Sequence, residues 1–194
     1  MLNALRKKLQ EKKAFTLVEI MIVVAITAML SSFAIGYSRI SARQVTLFVE
    51  QNKIASLVLR AKSLTLSTYT QPVATCGYGV AVNYAQNQYE IFSYTPPGPV
   101  GNPQCDTIAT SGIVPGQVKF FSDLTKLNNG VQFQTPVPAD GLYYILFIPP
   151  DPTTLLSVSN GGAITNQPAK IYLQTVDGNG KLTVTLNTAG QVDY

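Results

Sequence analysis

The first long hydrophobic stretch of the chain lies close to its N-terminus. Between Phe15 and Ser38 the only charged side chain is Glu19, and branched aliphatic residues dominate the segment. A helix of this length and composition can cross a lipid bilayer, because its backbone hydrogen bonds are all satisfied internally. We therefore predict a transmembrane helix over 15–36, preceded by a short polar segment over 1–14.

The helical periodicity continues beyond the hydrophobic stretch. Apolar residues recur at spacings of three and four over 54–64 and form one face of a helix. Hydroxyl residues over 65–70 and Pro72 behind them place the end of the helix near Ser67. The residues 37–68 are thus the second half of one long helix. A helix from Phe15 to Ser67 would have 53 residues and a length of about 80 Å.

The pattern changes to alternation in the remainder of the chain, 69–194. Tyr78, Val80 and Val82 fall on one side of a predicted strand, and glycine or alanine residues fall on the other. A turn at 86–87 and a second apolar run over 89–94 complete a β-hairpin. Further strands are predicted over 117–121, 131–134, 143–148, 170–176 and 181–186.

The connections between these strands carry turn chemistry. The segment 95–103 contains four prolines and two glycines, which predicts an exposed loop. The last two strands are joined by 177–180, Asp-Gly-Asn-Gly, which lacks the following Asp and the distant Glu of a calcium-binding EF-hand and is interpreted as a hairpin turn. The predicted fold class is α+β: a long N-terminal helix, transmembrane in its first half, packed on a C-terminal antiparallel β-sheet domain.

Composition fits one extramembrane core and argues against a nucleic-acid partner. The chain has 194 residues, of which 46% are hydrophobic and 12% charged, and a formal net charge of +4. The whole excess lies in residues 1–14, because the chain from Phe15 onward has nine basic and nine acidic side chains. Affinity for phosphate backbones needs clustered lysine or arginine residues. No nucleic-acid partner is therefore favoured for the chain without residues 1–14.

The basic N-terminal segment also predicts the orientation of the chain in a membrane. By the positive-inside rule residues 1–14 stay in the cytoplasm, and everything after about Tyr37 is exported. A secretory signal peptide is an alternative, but its apolar stretch is usually shorter and ends at a small-residue cleavage site. Cys76 and Cys105 lie in the exported part. We expect a disulfide between them, with two unrelated buried thiols as the alternative.

Residues for common catalytic chemistry are scarce. The chain has no histidine, and several Asp residues lie in turns such as 139–141 and 150–152 rather than beside a candidate nucleophile. We expect no enzyme activity, no catalytic residue, no metal site and no cofactor. A structural or binding role is therefore favoured.

The sequence from Lys12 to Glu19, Lys-Lys-Ala-Phe-Thr-Leu-Val-Glu, resembles the processing site of type IV pilin-like precursors. The resemblance makes 1–14 a leader peptide, which a prepilin peptidase removes by cutting between Ala14 and Phe15 and methylating the new amino group of Phe15. It further implies that Glu19 forms an ion pair with the terminal amine of a neighbouring subunit in a filament. The residue before the cut is usually glycine in this family, and here it is Ala14.

The order of segments along the whole chain is similar to that of the H-type minor pseudopilins of type II secretion and the FimT-like minor pilins. The similarity covers the end of the long helix over 57–63, the first strand over 76–80 and the closing hairpin. Gly36 stands where many members carry a proline, and it is interpreted either as a loosened point of the helix or as a packing glycine.

This resemblance implies a structural or assembly subunit of a type IV pilus or a type II secretion-like filament. Its partners would be the prepilin peptidase, other pilin or pseudopilin subunits contacted through the N-terminal helix, and the inner membrane. The globular domain would then be periplasmic or extracellular. The alternative is a binding module at a pilus tip, either an adhesin or a DNA-uptake subunit.

Overall fold

The computed structural model describes residues 16–68, 75–96, 105, 108–121, 124–149 and 153–193, with the backbone alone at 38–41 and 109. The chain divides into two compact units, one up to Ala42 and one from Arg43 onward. The predicted leader, Ala14 and Phe15 lie outside the described residues, and so does most of the predicted proline-rich loop.

One long helix, α1, runs from Leu17 to Thr68 and has 52 residues. Its C-terminal end lies one residue beyond the predicted end at Ser67, where hydroxyl side chains and the following proline no longer favour helical backbone. The helix is continuous through Gly36. A methyl group added at Gly36 would meet no atom within 4 Å, so no contact among the described residues requires glycine there.

In the second unit, the predicted apolar face of α1 packs into the core. Ile54, Val58 and Ala61 are fully buried, and Leu57 and Leu64 pack against the same cluster as half-buried neighbours. Each aliphatic side chain buried in this way stabilises the fold by roughly 1.5–3 kcal/mol. The helix is therefore held on the β domain by the same stripe that the sequence pattern predicts.

The described residues of the β domain form two antiparallel sheets rather than one. In the first sheet the order is β3-β2-β1-β6-β7-β8, with β4 also paired to β2, and in the second it is β11-β10-β9-β5. The strands are β1 Gly77–Asn83, β2 Gln88–Tyr94, β3 Val118–Phe120, β4 Thr125–Lys126, β5 Val131–Phe133, β6 Tyr144–Ile148, β7 Thr153–Ser157, β8 Ile164–Thr165, β9 Ala169–Thr175, β10 Lys181–Leu186 and β11 Val192–Asp193. A single-turn helix, α2 (Ile108–Ser111), precedes β3.

Both faces of the first sheet carry a buried apolar cluster. Val80 and Val82 belong to the main core between α1 and the two sheets, whereas Ala81 belongs to a second cluster with Phe92 and Ile108. This division follows from the alternation of side chains along a strand. The segment around α2 therefore covers part of the face that points away from α1.

The structure contains each of the seven predicted strands, with ends that differ by a residue or two. Sequence reasoning missed β4, β7, β8 and β11. Three of these have two residues each, which is too short for an alternating pattern to be visible. The fourth, β7, is rich in hydroxyl residues and directly follows 150–152, for which the sequence predicts a turn.

Candidate functional site

The start of α1 is closed by a reciprocal pair of hydrogen bonds between Thr16 and Glu19. The backbone N–H of Thr16 donates to Glu19 Oε2 at 3.0 Å, and the backbone N–H of Glu19 donates to Thr16 Oγ1 at 3.2 Å. This arrangement is a capping box, which satisfies two backbone donors that a helix start leaves without partners. Its sequence signal is the spacing Thr-x-x-Glu ahead of an apolar run.

The cap uses only one of the two carboxylate oxygens of Glu19. The hydroxyl of Thr16 also donates to Oε2, at 3.1 Å, so every hydrogen bond to the carboxylate among the described residues falls on one oxygen. Oε1 has no hydrogen-bond donor in the described part of the chain. One oxygen therefore holds the helix start, and the other remains open to a donor from outside.

The first part of α1 exposes apolar side chains on all sides. Within the first unit these side chains are between 53% and 74% exposed, and they include five consecutive residues, which cover every face of a helix. A helix that is apolar all round is typical of a membrane span or of a helix buried among others. By length and hydropathy α1 can cross a membrane. The residues are Leu17, Val18, Ile20, Met21, Ile22, Val23, Val24, Ile26, Met29, Leu30, Phe33 and Ile35.

The few hydroxyl groups in this segment donate to the helix backbone. Thr27 Oγ1 donates to the carbonyl of Val23 at 2.9 Å, and Ser31 Oγ donates to the carbonyl of Thr27 at 2.7 Å. Ser32 makes a similar bond three residues back. Because each hydroxyl has a partner on its own helix, these side chains add little to the cost of placing the segment in an apolar environment.

A buried charge fixes α1 against the β domain in the second unit. Glu50 is fully buried, accepts from Lys53 Nζ at 2.7 Å and lies 3.5 Å from the hydroxyl of Tyr89. Burial, and then the neighbouring charge of Glu50, raise the pKa of the Tyr89 phenol. The side-chain amide of the next residue, Gln51, donates to the backbone carbonyl of Thr183 on β10 at 2.9 Å. These contacts tie α1 to both sheets.

A second polar link joins the start of this unit to the turn between β9 and β10. Arg43 pairs with Asp177, which also accepts from the hydroxyl of Thr175 at 2.5 Å and from the backbone of Asn179 at 3.3 Å. Hydrogen bonds from the Thr175 hydroxyl, which has the largest effect, and from the Asn179 backbone and Arg43 lower the pKa of Asp177 to about 2. The carboxylate thus organises the hairpin turn that the sequence predicts. No cluster of potential metal ligands occurs among the described residues.

The two cysteines are joined in the structure. A disulfide links Cys76 to Cys105, 29 positions apart in sequence, and Cys76 is buried in the cluster beneath α2. The backbone N–H of Cys76 donates to the carbonyl of Tyr94 at 2.8 Å, next to the first rung of the β1–β2 hairpin. The bond therefore fastens the segment ahead of α2 to the base of this hairpin.

Comparison with known proteins agrees with the N-terminal geometry. The family described as the prokaryotic N-terminal methylation motif matches residues 10–35. Among solved structures, the minor pseudopilin EpsH from the type 2 secretion system of Vibrio cholerae is similar at 12% identity and a TM-score of 0.40, over 75% of this chain and 92% of that one. No curated protein sequence matches the chain.

The matched segment contains the predicted processing site, the Thr16–Glu19 cap and the apolar part of α1 up to Ile35. The cleavage position between Ala14 and Phe15 and the methylation of Phe15 lie outside the described residues and stay predictions. The motif precedes a continuous long helix, and the helix precedes a domain of antiparallel sheets. The chain therefore carries the prokaryotic N-terminal methylation motif at the start of a long apolar helix, ahead of an antiparallel β domain.

Proposed function

We propose that the protein is a structural subunit, of the minor pilin or pseudopilin kind, in a filament of a type IV pilus or a type II secretion-like system. The observation that carries this proposal is the first part of α1, which is apolar on every side and bears one carboxylate at its start, inside the methylation motif. A segment of this kind is stable in lipid and equally stable among other apolar helices. It can therefore move from a membrane into the core of a helical assembly.

Processing by a prepilin peptidase comes first in this scheme. The enzyme cuts between Ala14 and Phe15 and methylates the amino group of Phe15. Loss of residues 1–14 removes the whole excess of positive side-chain charge. Thr16 and Glu19 both remain in the processed chain, so their mutual cap survives the cut. The helix start is therefore already formed when the new amino terminus appears.

Assembly is then driven by packing of apolar helices and by one ion pair. In an apolar filament core the terminal amine of a neighbouring subunit donates to Oε1 of Glu19, the oxygen that the cap leaves open. Each charge alone would be costly in such surroundings, whereas the pair is much less so. The pair thus selects one register of a subunit against its neighbour.

In this scheme the protein starts as a single-pass protein of the inner membrane. The basic leader stays in the cytoplasm and the β domain is periplasmic or extracellular. The Cys76–Cys105 disulfide supports this orientation, because structural disulfides persist in oxidising compartments. The role is not catalytic, and a DNA-uptake role is not favoured for a processed chain with balanced charges.

The test is incorporation into filaments. The full-length chain, expressed with its native assembly system, should be recovered in sheared filaments or in co-purified assembly complexes, and its recovery should depend on the prepilin peptidase. Cells that lack this peptidase provide the control, because the precursor should remain in the membrane fraction. Recovery in the membrane alone, with the peptidase present and the chain processed, would rule out the proposed function.

A further inference from the structure

A cleft of about 570 Å³ opens on the face of the first sheet that points away from α1. Its floor is formed by Ala81, whose neighbours across the sheet are Glu90 on β2 and Tyr144 on β6. The methyl group of Ala81 is small, and the two larger side chains stand on either side of it. The resulting depression has the volume of a site for a small ligand or for a side chain of a partner.

Two largely buried residues present polar groups to this cleft that have no hydrogen-bond partner among the described residues. Gln88 is 8% exposed and Tyr144 is 9% exposed, and neither polar group bonds to any described residue. Asn83, which also lines the cleft, differs in this respect because it bonds to Gln86 at 3.1 Å. The amide of Gln88 and the hydroxyl of Tyr144 are therefore available to a bound group.

The charge of the cleft is set by Glu90. Among the described residues that line the cleft, it alone carries a charge near neutral pH, and it forms no ion pair with any of the described residues. Burial raises the pKa of the Glu90 carboxyl, since partial loss of water disfavours the charged form. Lys126, which lies opposite Gln88 in the sheet, is exposed and forms no ion pair with Glu90. A positive group in the cleft would form an ion pair with the Glu90 carboxylate.

The rim of the cleft is apolar. Phe120 is 47% exposed and Leu124 is 58% exposed, and both line its wall. Aromatic and aliphatic walls beside a carboxylate suit a group with an apolar stem and a flat cationic head. A guanidinium group combines these properties, because it presents several donors in one plane to a carboxylate and stacks on aromatic rings.

We propose that this cleft receives an arginine side chain from a partner protein, with Glu90 as its counter-ion and Gln88 and Tyr144 as additional hydrogen-bonding groups. This docking site goes beyond assembly through α1, since it lies entirely in the β domain. An anionic group is disfavoured by Glu90, and a neutral saccharide would leave the carboxylate without a counter-ion.

The test uses the full chain in detergent micelles, with N-acetyl-arginine amide as the probe. Saturable NMR shifts should appear at the side-chain amide of Gln88 and the methyl groups of Leu124, with a dissociation constant on the order of 1 mM for so small a probe. N-acetyl-citrulline amide has nearly the same shape without the charge and should cause no such shifts. Glu90→Gln should weaken binding of the arginine probe by about tenfold or more.

Matched variants separate this site from general charge effects. Asp193→Asn removes an exposed carboxylate that does not line the cleft and should leave the probe's affinity unchanged. Lys126→Gln removes a nearby positive charge and should leave binding equal or tighter. Absence of a saturable shift at tens of millimolar probe would overturn the proposal, as would equal affinity in Glu90→Gln. Shifts caused by N-acetylglucosamine and not by the arginine probe would assign the cleft to saccharides and overturn it too.

Discussion

Thr16 and Glu19 cap each other at the start of α1 through two reciprocal backbone-to-side-chain hydrogen bonds. Glu19 therefore has a structural role within its own chain in addition to the proposed role between subunits. The two roles fall on different oxygens of one carboxylate, since the cap uses Oε2 alone. They can be separated by substitutions that keep one and remove the other.

Glu19→Gln should abolish incorporation into filaments while leaving membrane insertion and cleavage largely intact. A glutamine at the third helical position still caps the helix, but it cannot pair with a terminal amine. Loss of one partner from a buried ion pair costs about 3–5 kcal/mol. The measurement compares the amount of variant and native protein in sheared filaments with the amount in the membrane fraction.

Thr16→Val is the matched control for this experiment, and Glu19→Ala and Glu19→Leu complete the set. Thr16→Val loses the side-chain cap, worth about 1 kcal/mol, but keeps the charge and should still be incorporated. Glu19→Ala and Glu19→Leu lack the charge and should both fail, whatever the bulk of the side chain. If Glu19→Gln enters filaments at the native level, Glu19 serves only as a helix cap.

Cleavage should occur between Ala14 and Phe15. The residues from Lys12 to Glu19 carry the processing pattern, and the methylation motif covers them. Mass spectrometry of protein recovered from membranes should therefore find a chain that begins at Phe15 and carries a methyl group on its amine. An intact Met1 in the mature protein would exclude this processing.

Ala14→Gly should accelerate the cut. Glycine usually occupies this position in pilin-like precursors, and alanine adds a methyl group that the subsite of the peptidase must accommodate. Pulse-chase labelling of the native and variant precursors in the same cells gives the two rates. Equal rates would show that this subsite does not distinguish the two residues.

Removal of the disulfide should destabilise the β domain. In the chain-entropy treatment, a cross-link between residues 29 positions apart contributes about 3–4 kcal/mol to the free energy of unfolding. The double variant Cys76→Ser, Cys105→Ser should lose about this amount in denaturant unfolding of the full chain. Thiol titration of the native protein, unfolded without reductant, should find no free thiol, and two titratable thiols would disprove the bond.

Thr175→Val should raise the pKa of Asp177 from about 2 towards 3.8, because the Thr175 hydroxyl is the strongest of the groups that lower it. A lowered pKa in the folded state stabilises the fold above pH 3.8, and this contribution disappears as the pH falls from 3.8 to about 2. Carboxyl carbon shifts of Asp177, followed by NMR over this range, measure the change. Thr185→Val on β10 lies away from the turn and should not shift the titration.

The sequence by itself determined the long helix and the predicted processing site. Both are local features: an uncharged apolar run makes a span, and a short string of residues beside a basic segment makes a motif. The apolar face of the second half of α1 was equally readable, since Ile54, Val58 and Ala61 recur at helical spacing and are all buried. The hairpin of β9 and β10 followed from its alternation and its turn residues.

The tertiary structure alone decided how the strands are divided between two sheets and which polar groups meet. The separate pairing of β9 with β5 and of β6 with β1 joins segments far apart in sequence, and periodicity within a strand does not specify its neighbours. The cleft over Ala81 depends on such pairing, because Glu90 and Tyr144 come together only across β1. The alternation of apolar and polar residues along a strand determines which of its faces is apolar. Long-range packing determines which other element covers that face.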